Sequence, residues 1–151
     1  MRAKDVMIEN VIFINKEDKL DEIISVLMQN HVSGVPVIDK DNHLVGMVTE
    51  KDLVTKEKGL NISSYMEFVA NILFIDGKKT LFKETSKDLQ FLTAKDIMTA
   101  PVYSVREEAT IAEVVSLMMN RHINRIPVID DENKLVGIIG RSDLLPILIK
   151  E

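Results

Sequence analysis

His31-Val-Ser-Gly-Val-Pro-Val-Ile-Asp39 returns 91 residues later as His122-Ile-Asn-Arg-Ile-Pro-Val-Ile-Asp130. Working outward, Leu44-Val-Gly-Met-Val-Thr-Glu-Lys-Asp-Leu53 returns as Leu135-Val-Gly-Ile-Ile-Gly-Arg-Ser-Asp-Leu144, and Lys4-Asp-Val-Met7 as Lys95-Asp-Ile-Met98. Every pair keeps the offset of 91, and residues 4–53 align with 95–144 without a gap, with 19 identities in 50 positions. Many of the other pairs exchange Val, Ile, Leu and Met. An internal repeat of this kind is read before any single element, because each copy is one supersecondary unit that stacks on its neighbour. The chain divides into a first copy at 1–58, an intervening segment at 59–94 and a second copy at 95–151.

Each copy reads as β-α-β-β-α, an α/β (α+β) arrangement. Val11 to Ile14 and Val102 to Val105 are short β-prone runs, each followed by a charged turn. Thr110-Ile-Ala-Glu113 spells a capping box, in which hydroxyl and carboxylate satisfy orphan backbone donors at a helix start. Ile111, Val114, Val115 and Met118 then share one helical face, as do Leu20, Ile23, Ile24 and Leu27 in the first copy, where Asp18 is the expected cap. Val35 to Ile38 and Leu44 to Val48 form strands around the polar turn Asp39 to His43. Thr49 caps a short helix from about Glu50. Pro36 and Pro127 lack a ladder donor, so their strands are expected to be parallel or at an edge, with the proline at the strand start.

The composition excludes several classes of function. The chain has 151 residues, 46% hydrophobic and 28% charged, with net charge −5 and no cysteine. It has no apolar run of the ~20 residues that cross a bilayer, and its N-terminus lacks the pattern of a secretory signal. Disulfides and thiolate metal sites are impossible, which suits a cytoplasmic location. The negative charge argues against nucleic acid as the main partner. With five Phe, two Tyr and no Trp, the core must be mainly Val, Ile, Leu and Met.

The ordered motifs resemble the cystathionine-β-synthase (CBS) domain pair, or Bateman module. They are Asp5-Val-Met7 and Asp96-Ile-Met-Thr99, then Val35-Pro-Val-Ile-Asp39 and Ile126-Pro-Val-Ile-Asp130, and finally Gly46-x-x-Thr49-x-x-Asp52 with its echo Gly137-x-x-Gly140-x-x-Asp143. The resemblance implies two half-domains with pseudo-twofold symmetry, with two clefts that in relatives often hold adenosyl ligands such as AMP, ADP or ATP. It implies a non-catalytic regulatory module that signals by conformational change, and a homodimer formed through helices. Asp52 and Asp143 become ribose grips, since a carboxylate can accept from both hydroxyls. One cleft gathers Asp143, Ser142, Arg141 and Arg125 with Val11 and Ile12. The other gathers Asp52, Thr49 and Lys51 with Val102 and Tyr103. Arg forks onto two phosphate oxygens where Lys is a point charge, so the Asp143 cleft is expected to bind a phosphorylated adenosine more tightly.

Each residue also has a plainer reading. Asp52 and Asp143 suit the first turn of a helix on dipole grounds alone, Thr49 is an ordinary N-cap, and Arg125 and Arg141 could be solvated. Gly46 and Gly137 are better explained by close packing or a strand bend than by ligand contact. His31 and His122 fall at helix ends, and no metal-ligand spacing accompanies them. No nucleophile motif, P-loop or zincin motif is present, so no catalysis and no obligatory cofactor are expected. The competing function is a structural or dimerisation module with empty clefts, or a sensor of S-adenosylmethionine or NAD, and the effector partner is unknown. In the intervening segment an amphipathic helix is expected from Ser63 to Phe74, with a turn at Asp76-Gly77 and a short helix around Ser86 to Leu92. Tyr65, Phe68 and Phe74 there could cover the module itself or serve as a contact surface.

Overall fold

The computed structural model describes residues 1–54 and 91–149. The expected helix at 63–74, the turn at 76–77, most of the helix around 86–92 and the surface of Tyr65, Phe68 and Phe74 lie outside the described residues. The first copy contributes α1 (Ala3–Val6), β1 (Ile14–Asn15), α2 (Leu20–Gln29), β2 (Gly34–Ile38), β3 (Leu44–Thr49) and α3 (Glu50–Val54). The second contributes α4 (Ala94–Ile97), β4 (Val105–Arg106), α5 (Ile111–Arg121), β5 (Arg125–Ile129), β6 (Leu135–Gly140) and α6 (Arg141–Ile149). The α/β class and the repeated unit stand as read, with one short helix added ahead of each copy's first strand.

These elements fall into two compact units that do not coincide with the two copies. One comprises Met1–Val11, Lys40–Leu44 and Val102–Glu151, the other Ile12–Asp39 and Val45–Pro101. In the first unit β5 is the middle strand, with β4 parallel to it and β6 antiparallel, Arg125 opposite Gly140 and Pro127 opposite Ile138. The lead segment of the first copy belongs here. Ala3 N donates to Ala109 O at 2.8 Å, and Ile8 and Ile138 exchange backbone bonds of 2.9 and 3.0 Å. Ala3, Val114, Met118, Ile126, Val128, Ile139 and Leu144 form its core. The Asp130 turn is tied by the carboxylate, which accepts from Glu132 N at 2.8 Å and Lys134 N at 2.9 Å. The Lys134 bond is the main reason the Asp130 carboxyl sits below its usual range.

The other unit repeats the plan. β2 is flanked by β1, parallel to it, and by β3. Its core is Ile14, Leu20, Ile23, Ile24, Leu27, Val35, Val37, Val48, Leu53, Ala94 and Ile97. The last two come from α4, which begins at the last residue of the intervening segment and leads into the second copy. There Ala94 N donates to Asp18 O at 2.9 Å, and Thr99 and Met47 exchange backbone bonds of 2.8 and 3.1 Å. Each lead segment therefore completes the sheet of the other copy. The glycines of the repeated motif make room for it. A Cβ at Gly137 would lie 2.8 Å from Met7 Cγ, and one at Gly46 would lie 2.9 Å from Met98 Cγ, so close packing accounts for both.

Three local expectations are corrected. Val11, Ile12, Val102 and Tyr103 precede the strands rather than opening them; Val11 N bonds back to Glu9 O at 3.0 Å, which turns its amide away from the ladder. Pro36 and Pro127 sit third in central strands, not at strand starts. Each is tolerated because β1 and β4 reach only Val37–Ile38 and Val128–Ile129, leaving the proline beyond the end of that neighbour. Asp18 does not cap α2. Its carboxylate accepts from Asn15 N at 2.9 Å, Lys19 holds the N-cap position without a side-chain bond, and desolvation followed by the Asp18 charge pushes Glu22 up. In the second copy the capping box forms as read. Glu113 N donates to Thr110 Oγ1 at 3.2 Å, and Thr110 N donates to Glu113 Oε2 at 2.7 Å.

Candidate functional site

The repeated aspartates occupy matching places. Asp143 lies in the first turn of α6, which begins where β6 ends, and its Oδ2 accepts from Gly140 N at 2.7 Å. Asp52 lies in the first turn of α3, and its Oδ2 accepts from Thr49 N at 2.8 Å. In both, one carboxylate oxygen caps the helix start, as the plain first-turn reading expects. The same device recurs where Asp5 receives Arg2 N at 2.7 Å and Asp96 receives Thr93 N at 2.9 Å. The backbone and hydroxyl bonds from Thr93 keep the Asp96 carboxyl below its usual range. The other oxygen decides what remains for a ligand.

There the two halves part. Asp52 is 7% exposed, and its Oδ1 accepts from Thr99 Oγ1 at 2.9 Å while Thr49 Oγ1 adds a 3.3 Å bond to Oδ2. Asp143 is less buried. Among the described residues its carboxylate receives only the Gly140 bond. The Thr49 hydroxyl has no counterpart at Gly140, where a Cβ would meet Asp143 Oδ2 at 3.2 Å.

Around Asp143 the sequence places its cations at one end of the sheet. Arg125 opens β5 opposite Gly140, and Arg141 N ties the start of α6 to Asn124 O at 2.8 Å. Arg125, Arg141, Ser142, Asp143, Val11, Val102 and Tyr103 belong to one unit; Ile12, Thr49, Lys51 and Asp52 belong to the other. The Tyr103 ring is 45% exposed and carries the Arg121 guanidinium 4.8 Å from its centroid, a cation–π contact that sequence reading did not anticipate. Ile12 and Asn30 hold the matching positions in the first copy, so that pair is unique to the second.

A groove of about 620 Å³ runs between α5 and α6, lined by Val115, Met118, Met119, Leu144, Leu145 and Leu148 with Arg141 at its polar margin. Met119, Leu145 and Leu148 are 70, 48 and 52% exposed. His122 also borders it. Its φ of 54° and the 52° of His31 put both histidines in the left-handed conformation that ends a helix. Within the turn after β2, Asp39, Asp41 and His43 each bring one oxygen or nitrogen within 4.8 Å of the others, a spacing that could hold a cation. Exposed carboxylates gather in turns without one, and no ligand is assigned there.

This repeated fold matches the CBS domain, whose family model covers residues 3–59 and 94–150. The chain belongs to the CBS domain family and carries two copies of the domain. It is 34% identical over 155 residues to an uncharacterized protein of Methanocaldococcus jannaschii, spanning 99% of this chain and 92% of that protein. It is 30% identical to the inosine-5'-monophosphate dehydrogenase of the same organism over 95% of this chain, which is 23% of the enzyme. Among solved structures, the CBS domain of a membrane protein from Sphaerobacter thermophilus superposes with a TM-score of 0.75 at 28% identity, over 100% of this chain and 90% of the other. CBSX2 solved with AMP gives 0.71 at 24% identity, over 99% and 96% of the two chains. At that identity the likeness to CBSX2 is one of fold alone. No helix among the described residues is long and apolar enough to cross a membrane.

Proposed function

We propose that the chain is a non-catalytic regulatory module that binds an adenosyl ligand of the AMP, ADP or ATP kind and passes the change to an effector protein. The observation that carries this reading is Asp143. Its carboxylate stands at the start of α6 with one oxygen capping the helix and the other accepting no hydrogen bond among the described residues. That oxygen suits a ribose hydroxyl, while Ser142, Arg141 and Arg125 supply donors for phosphate. Val11, in the same unit, serves as an adenine contact. A second, weaker position consists of Asp52, Thr49 and Lys51. Solved relatives support the ligand class. CBSX2 carries AMP, and the CBS pair of MJ0100 carries 5'-methylthioadenosine and S-adenosylmethionine. A cytoplasmic setting fits a chain without cysteine.

Thermal shift tests this reading. A ligand held at 100 times its dissociation constant adds about 2.7 kcal/mol of stability, so one or more of AMP, ADP, ATP, S-adenosylmethionine and NAD raises Tm. Indifference to all of them favours the second reading, a dimerisation scaffold with empty clefts. The exposed apolar groove between α5 and α6 favours a dimer in either case, because a patch of that kind on a small chain marks a contact. Light scattering at micromolar concentration is expected to give twice the 17.1 kDa chain mass. A monomer contradicts the dimer.

A further inference from the structure

The chain contains its own controlled comparison. Thr99 and Ile8 are repeat mates, as are Met47 and Ile138. Thr99 exchanges backbone bonds with Met47, at 2.8 and 3.1 Å, and Ile8 exchanges the same two with Ile138, at 2.9 and 3.0 Å. The backbone is held alike, and only the side chain differs. In one half a hydroxyl sits 2.9 Å from Asp52 Oδ1; in the other an aliphatic side chain brings no donor to Asp143. Thr49 and Gly140 differ in the same sense, so both hydroxyls that donate to a repeated aspartate lie in the Asp52 half.

We propose that Thr99 is an internal competitor that occupies the Asp52 carboxylate and makes the two ribose positions of this chain unequal. The inference rests on the adenosyl reading above. A ribose diol offers two donors and needs carboxylate oxygens with open lone pairs. At Asp52 one oxygen serves the Thr49 amide and hydroxyl, and the other serves Thr99. Three of the carboxylate's roughly four lone-pair sites are thus taken, so a diol makes both its bonds at Asp52 only by displacing the Thr99 hydroxyl, whereas at Asp143 only the Gly140 amide competes. Thr99 is exposed, so its hydroxyl can rotate away, and the expected effect is weakened binding at Asp52 rather than exclusion. Exchanging one neutral donor for another alters affinity by the worth of about one hydrogen bond, roughly threefold to tenfold.

The test is calorimetric titration of AMP into the full chain and four variants. Thr99→Val keeps the β-branched shape and removes the donor, and Ile8→Thr installs it in the other half. Circular dichroism checks that each variant folds. Thr99→Val is expected to strengthen the weaker binding event by about threefold to tenfold. That gain persists in Thr99→Val/Asp143→Ala and disappears in Thr99→Val/Asp52→Ala. Ile8→Thr weakens the stronger event by a similar factor. If wild type binds AMP and Thr99→Val leaves the weak event unchanged, Thr99 is not a competitor, and the adenosyl reading survives. If affinity falls, Thr99 is a ligand contact and the inference is overturned. Absence of AMP binding from both wild type and Thr99→Val overturns the inference together with the adenosine-phosphate reading.

Discussion

Asp143→Ala is expected to weaken AMP binding by about 10- to 100-fold, while Asp52→Ala changes the tighter event by less than about threefold. The first figure follows from the loss of one hydrogen bond to a charged acceptor, worth roughly 1.5–3 kcal/mol. The asymmetry has two independent sources. Arg125 pairs with Gly140 and Arg141 opens α6 two residues before Asp143, whereas the mates of Arg125, Arg141 and Ser142 in the first copy are Gly34, Glu50 and Lys51. The Asp52 carboxylate is already bonded through both oxygens. Removing Asp143 also frees Gly140 N, which can turn to water because α6 starts at a partly exposed point of the sheet. Thermal unfolding without ligand therefore serves as the control. A variant whose Tm without ligand is close to wild type but which has lost AMP binding separates the ligand role from helix capping. Equal losses in the two variants contradict the asymmetry.

Ile126→Ala is expected to destabilise the protein by about 2–5 kcal/mol, the cost of deleting a buried aliphatic side chain that its surroundings cannot refill. Ile126 is fully buried in β5, directly opposite Ile139, which is also fully buried, and belongs to the cluster with Val114, Met118, Val128 and Leu144. Among the described residues no buried aromatic side chain is available to settle into the gap. Phe13, Phe91 and Tyr103 are the described aromatics, and each is 44% exposed or more. Against a usual total of about 5–15 kcal/mol the loss is large. Urea denaturation reads it as a lower midpoint at unchanged slope. A cost below about 1 kcal/mol would mean that the strand-pair core is not tightly packed.

Much of this was legible in the sequence because the repeat fixes register. Once residues 4–53 are laid on 95–144, the strands, the first long helix of each copy, the glycines and the two aspartates are found together, and the Thr110–Glu113 box marks a helix start to the residue. The missed features depend on contacts between segments far apart in the chain. Nothing local to Lys4-Asp-Val-Met7 says that it packs beside β6 instead of beside the strands of its own copy. Nothing local to Pro36 says that β1 stops one residue short of it. Asp18 has the right chemistry for a cap, but its carboxylate finds Asn15 N first. The Thr99 bond did leave a signal. In the 91-residue register Thr49 faces Gly140 and Thr99 faces Ile8, so two hydroxyls are lost on the same side of the repeat. Reading the differences between the copies with the same care as the identities would have found it.

The central claim is that this chain binds an adenosyl ligand and leaves it chemically unchanged. Native mass spectrometry of the protein, as purified and after addition of AMP, tests it most directly. The account predicts an adduct of nucleotide mass, released intact on denaturation and greatly reduced in Asp143→Ala. A bare protein mass with AMP, ADP, ATP, S-adenosylmethionine and NAD alike, or a ligand released in altered form, contradicts it.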